Sequence, residues 1–285
     1  MWVAFFIPNI KLSALRRPNY ADLRLMLQQR VPRGAWLEAT ARMAAEPSTT
    51  TGDFDPSTFK HSHVLEYMTK DQRFFDRPIR ALDRLLQELG KRSLTAFATK
   101  MHDEPLERLL RRIAVEKDIE INFHNCVGQE VLFGLLALVD PNLELWYQAG
   151  DGKLHVTDDA WVFENLMLAI VEHKTHKVLP LSVWKGIDSV IEAGMRFSWP
   201  NTATSSKKIW GQSHQTKAHL VFLSSCEYMQ VFYRPRRADM SSRFICSNRY
   251  SATATGVQSV RFAMLALILA EMKRDLFPTV RLDEQ

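Results

Sequence analysis

Arginine is the residue type whose spacing in this chain best supports chemistry. Arg77, Arg80, Arg84, Arg108, Arg111 and Arg112 fall within residues 77–117, where leucines recur at helical intervals. A guanidinium fork pairs with carboxylate or phosphate through two parallel hydrogen bonds, so a row of them suits an acidic partner. A second basic set comprises Lys207, Lys208, Arg234, Arg236, Arg237, Arg243 and Arg249, with Trp199, Trp210, Phe232 and Tyr233 close by in sequence. Basic and aromatic residues interleaved in this way suit nucleic acid, cations meeting phosphates and rings meeting bases.

Other reactive types are sparse. His61 and His63 form one close pair and His173 and His176 another, and neither has a Cys, Asp or Glu at a spacing that would complete a metal site. They read as surface or capping histidines. Cys126 follows His124 closely, but a lone cysteine at the head of an apolar stretch reads as a small core residue. The carboxylate pairs Asp158–Asp159 and Glu104–Glu107 fall where helices are expected to start, and capping explains them. The sequence contains no nucleophile elbow, phosphate-binding loop or dinucleotide fingerprint. A non-enzymatic protein without metal or cofactor is the expectation.

The bulk properties agree with a folded binding protein. The 285 residues suffice for a substantial core, and 46% hydrophobic with 24% charged residues is ordinary for a globular chain. A net charge of +5 favours acidic partners: nucleic acid, anionic lipid or acidic protein segments. Three widely spaced cysteines form no disulfide framework and fit a reducing compartment. The apolar start ends at Lys11 and is interrupted by Pro8, well short of the roughly 20 residues of a spanning helix. It reads as a packed N-terminal segment, with an interfacial foot on the membrane as the alternative.

These residues must be positioned by secondary structure, and the apolar periodicity predicts mostly helices. A short helix is expected over 20–30, another over 35–45, and a Ser/Thr/Gly/Pro-rich linker over 47–58. Residues 59–70 read as helical. The next helix is expected from Arg77, with Pro78 in its first turn and Gly90 as its stop. Further helices are expected over 94–101, 103–113, 127–139, 160–174 and 180–194, and a closing one over 257–277. Residues 197–216 read as an exposed polar excursion. Only 219–224 and 229–234 suggest strands. The expectation is a mainly α fold, a multi-helix globular domain with at most a small β-hairpin near the C-terminal third. Its organisation is an N-terminal helical segment at 1–46, a linker at 47–58 and a main helical domain at 59–285.

Residues 94–114, LTAFATKMHDEPLERLLRRIA, following LQELG at 86–90, resemble the DotM/TrbA-like proteins of type IVB secretion and conjugation systems. Residues 158–188 loosely resemble a later region of that family through Trp184, Lys185 and Asp188. The resemblance implies a mostly helical cytoplasmic domain in a coupling complex at the inner membrane, presenting basic residues to glutamate-rich segments. The functional expectation is therefore an adaptor that binds acidic protein segments through Arg77, Arg80, Arg84, Arg108, Arg111 and Arg112. The alternative is a plasmid- or phage-type nucleic-acid-binding protein using the C-terminal clusters.

Overall fold

The structure is a computed structural model and describes residues 20–31, 65–91, 116–138, 145–149, 158–163, 166–175, 178–192, 204–225, 227–236 and 242–272. The expected linker and the expected helices over 35–45, 94–101 and 103–113 lie outside the described residues.

Helices and strands alternate along the chain. They are α1 (Tyr20–Leu27), β1 (Tyr67–Lys70), α2 (Gln72–Lys91), α3 (Glu116–Phe123), a π-turn (His124–Gly128) and α4 (Gln129–Leu138). β2 (Leu145–Ala149), β3 (Asp159–Phe163), β4 (Leu166–His173), α5 (Leu181–Glu192) and α6 (Thr204–Thr216) follow. The chain continues with β5 (Leu220–Ser224), β6 (Tyr228–Tyr233), β7 (Arg243–Cys246), β8 (Tyr250–Ser251) and α7 (Val260–Glu271). The strands form one mixed sheet in the order β1-β7-β6-β5-β4-β3-β2, with β8 pairing to β6.

This overturns the mainly α expectation: the fold is α/β. The largest single reversal is at 160–174, expected as a helix and found as the antiparallel pair β3–β4. From Leu168 to His173 every residue of β4 is buried. A strand covered on both faces has no polar side to display, so it reads as a continuous apolar run. Of the helix expected over 59–70, residues 59–64 lie outside the described residues, and 67–70 form β1, which runs parallel to β7. The expected hairpin is present as β5 and β6, embedded in the larger sheet.

Two helical layers cover the sheet. On one face α1, α2, α3, α4 and α7 enclose a core that includes Phe75, Leu82, Val127, Trp161, Phe222 and Phe262. On the other, α5 and α6 cover Ile170, Val221, Phe232 and Phe244 with Trp184, Ile209 and Trp210. β4 and β5 are parallel neighbours joined by a crossover through α5 and α6. A parallel pair requires such a connection, because no tight turn can return the chain to the same end of the sheet.

α2 starts earlier than expected. The Asp71 carboxylate accepts from Phe74 N at 3.1 Å and caps the helix, leaving Pro78 in its interior. An interior proline costs about 3 kcal/mol. Burial of Phe74 and Phe75 in the turn before it offsets that cost, at roughly 1.5–3 kcal/mol for each large apolar side chain. α6 replaces the expected exposed excursion: Ile209, Trp210, Gln212 and Ser213 are buried completely. Its polar residues point inward because charged and polar groups of the sheet meet them there.

Candidate functional site

The polar partners of α6 lie at the carboxyl end of β4. Side chains alternate across a strand, so Glu172 and Lys174 point toward α6 while His173 points to the opposite layer. Continuing the β3–β4 register one step past Asp159–Val171 brings Asp158 opposite Glu172, on the α6 side. Lys174 Nζ lies 2.5 Å from Glu172 Oε1, and Lys208 Nζ lies 2.5 Å from the same oxygen. Gln212 Nε2 donates to Glu172 Oε2 at 2.6 Å. Lys208 and Gln212 stand four apart on α6 and so share one helical face.

Asp158 is held from behind by the main chain, its Oδ2 accepting from His173 N at 2.5 Å. Burial, and then the charge of Glu172, push its carboxyl up to about 7, against the opposing pull of Lys174 and His173. Lys174 also donates to His173 O at 2.9 Å, and its own N–H bonds Ser224 O across to β5 at 2.9 Å. The cluster therefore sits at the carboxyl ends of two parallel strands, the place where open α/β sheets bind their ligands.

The reverse side of the same strand ends carries a buried dyad. His173 Nε2 lies 2.7 Å from Asp159 Oδ2, with the Phe123 ring tilted against the imidazole at a centroid distance of 4.6 Å. Burial opposes the charge of His173, but the hydrogen bond and charge of Asp159, with the charges of Asp158 and Glu120, outweigh it and raise its pKa. The dyad ties the start of β3, next to Asp158, to the end of β4, which carries Glu172 and Lys174.

Two carboxylates fit Mg²⁺, which is bound through one or two protein carboxylates and completes its shell with water and phosphate oxygens. Among the described residues no group of three or more His, Cys, Asp and Glu forms a metal cage. Gln212 Oε1 points to a ligand here, being completely buried and without a hydrogen-bond partner among the described residues.

The sequence-derived candidates are distributed differently from expectation. Arg77, Arg80 and Arg84 are exposed on α2, and Arg80 pairs with Asp76 at 3.5 Å. Arg108, Arg111 and Arg112 lie outside the described residues. Of the second basic set, Lys208 belongs to the cluster. Arg234 donates to Ser213 Oγ, Arg236 pairs with Glu271, and Arg249 pairs with Asp188 at 2.9 Å. Arg243 lies over the Tyr67 ring at 4.9 Å. Lys207 lies on α6, and Arg237 is outside the described residues. Cys126 is buried, and burial pushes its thiol up to about 11, which suits packing rather than attack.

Glu172, Lys174 and Gln212 escaped the sequence reading, and Asp158 was read there as a helix cap. Their signal was an acid at a strand start, then an apolar run ending in Glu-x-Lys, and it was hidden by reading that run as a helix. Among the described residues no helix is long and apolar enough to cross a membrane. No protein-family model, curated protein or solved structure matches the chain.

Proposed function

We propose that the protein is a metal-dependent phosphodiesterase acting on nucleic acid. The observation that carries this is the convergence of Asp158, Glu172, Lys174 and Lys208 at the carboxyl ends of β4 and β5, bound to α6 through Gln212. Two carboxylates supply the donors for a divalent cation, and two ammonium groups beside them suit an anionic substrate. The net charge of +5 favours a polyanion as that substrate.

When bound, the cation supplies Lewis acidity at a phosphoryl oxygen and lowers the pKa of water. Asp158 and Glu172 would hold it, and the hydrogen bonds from His173 N and Gln212 fix their carboxylates. Lys174 stabilises the charge that gathers on the phosphoryl oxygens as water attacks. The water oxygen bonds to phosphorus, the bond from phosphorus to the leaving sugar oxygen breaks, and the water's proton leaves to solvent. The leaving oxygen takes a proton in return.

The test uses the purified full chain with single- and double-stranded DNA and RNA, in Mg²⁺, in Mn²⁺ and in chelator. Cleavage should require metal and fall at least about 100-fold in Asp158→Asn and Glu172→Gln, with the far-ultraviolet spectrum unchanged. Absence of cleavage in every combination, or full activity in both variants, overturns the reading.

A further inference from the structure

We infer that Lys208 couples metal binding to phosphate binding, so that neither ligand is held tightly without the other. The inference rests on the proposed site and concerns how it selects its ligands. Both oxygens of Glu172 are taken by protein donors, Oε2 by Gln212 and Oε1 by the two lysines. A cation that takes Glu172 Oε1 must therefore displace ammonium groups from it. Lys174 has a second acceptor in place, His173 O at 2.9 Å. Lys208 has no other partner than Glu172 among the described residues, and its side chain is only 10% exposed. Metal binding alone thus strands a buried ammonium, which is costly unless an anion meets it.

The charges lead to the same result. With both carboxylates ionised, as a bound cation requires, the two ammonium groups cancel them, and a divalent cation leaves the site with two positive charges in excess. A phosphodiester anion together with a hydroxide, or the doubly charged phosphorane they form, restores neutrality. Lys208 is the displaced group that a phosphate oxygen would meet. Coupling of this kind is reciprocal: whatever factor the phosphate contributes to metal affinity, the metal contributes to phosphate affinity.

The experiment measures Mg²⁺ affinity calorimetrically on the full chain, with and without saturating thymidine 3′,5′-bisphosphate, which has no internucleotide bond to cut. In the wild type the nucleotide should tighten Mg²⁺ binding about tenfold or more, within the usual span of site-to-site coupling. Lys208→Gln keeps an amide donor for Glu172 but removes the charge. It should bind Mg²⁺ alone about tenfold more tightly than the wild type, with coupling reduced to about threefold or less. Lys208→Arg restores the charge and should restore the coupling. If Lys208→Gln binds Mg²⁺ alone no more tightly than the wild type and keeps the full coupling, the inference fails, even where cleavage still depends on metal and Glu172. If no form binds Mg²⁺ with or without nucleotide, both the inference and the proposed function fail.

Discussion

Gln212 donates to Glu172 Oε2 at 2.6 Å, tying the middle of α6 to the carboxyl end of β4 across a completely buried contact. Ile170 and Val221 present apolar surface to the same layer, and the C-terminal turn of α6 is held separately by Ser213, which donates to Ala218 O and accepts from Arg234. The Gln212 bond sets where Lys208, one turn earlier on the same face, meets the carboxylate. Gln212→Ala should lower kcat about 10- to 100-fold, the cost usually seen when a partner that orients a metal ligand is removed. Its KM for nucleic acid should change little. Steady-state kinetics separates the two parameters, and a KM rise with unchanged kcat would contradict this assignment.

Lys174 separates binding from chemistry in a different way. It touches Glu172 Oε1 and the carbonyl of His173, so its removal leaves both carboxylates in place. Lys174→Gln should retain Mg²⁺ binding while losing about 100-fold or more in turnover, as expected for loss of a group that meets transition-state charge. Calorimetry with Mg²⁺ and cleavage assays on the same preparation check both halves. A variant that loses metal binding and activity together would place Lys174 in a structural role.

These two residues also show how much the sequence made legible. α1, α2, α5 and α7 were readable because each has apolar spacing on a helical period, with Leu82 and Leu86 of α2 as one instance, and α4 because it is apolar almost all round. β3 and β4 were not, because their apolar run satisfies a helical period as easily as a strand buried on both faces. That one reversal concealed the site. In a helix Asp158 becomes a cap and His173 a terminal residue, whereas in a strand alternation sends Glu172 and Lys174 to one face and His173 to the other. α6 was missed for a related reason: Ser206, Lys208, Gln212 and Ser213 look solvated by type, and they are buried because their partners are polar. Only the pairing of distant segments shows that Lys208 belongs with Glu172.

The helical layer on the opposite face contains a buried ion pair with a predictable pH dependence. Arg261 of α7 pairs with Glu130 of α4 and donates from Nε to Cys126 O at 2.7 Å. Burial raises the Glu130 carboxyl from 4.5 to about 7, although the Arg261 charge works against the shift. A folded-state pKa above the unfolded one means that the fold favours the protonated form. This contribution is fully present below pH 4.5 and is lost as the pH rises through about 7. The unfolding free energy should therefore decline across that interval, by a few kcal/mol at about 1.4 kcal/mol per pKa unit. Urea denaturation between these pH values should show the decline in the wild type and a flatter profile in Glu130→Gln. Arg261→Met, which leaves Glu130 buried without its partner, should cost about 3–5 kcal/mol at neutral pH.

The contact between α4 and α7 gives the sharpest packing test. A Cβ built on Gly134 would lie 2.6 Å from Leu265 Cδ2, closer than carbon atoms can approach, and Leu265 is completely buried. Gly134→Ala must therefore push the Leu265 side chain from its place between the helices. Overpacking of this kind costs about 1–3 kcal/mol, partly offset by the roughly 1 kcal/mol by which alanine exceeds glycine in a helix. Leu265→Ala should cost about 2–5 kcal/mol, because it leaves a cavity at the same point. In the double variant the new methyl group enters the space that Leu265 vacates, so the clash disappears and the helix-propensity gain remains. The double variant should accordingly be no less stable than Leu265→Ala alone, with a coupling energy of about 0.5–3 kcal/mol in the stabilising direction. Chemical denaturation of the four proteins of the cycle measures it. Simple additivity of the two costs would show that α4 and α7 do not approach each other at Gly134.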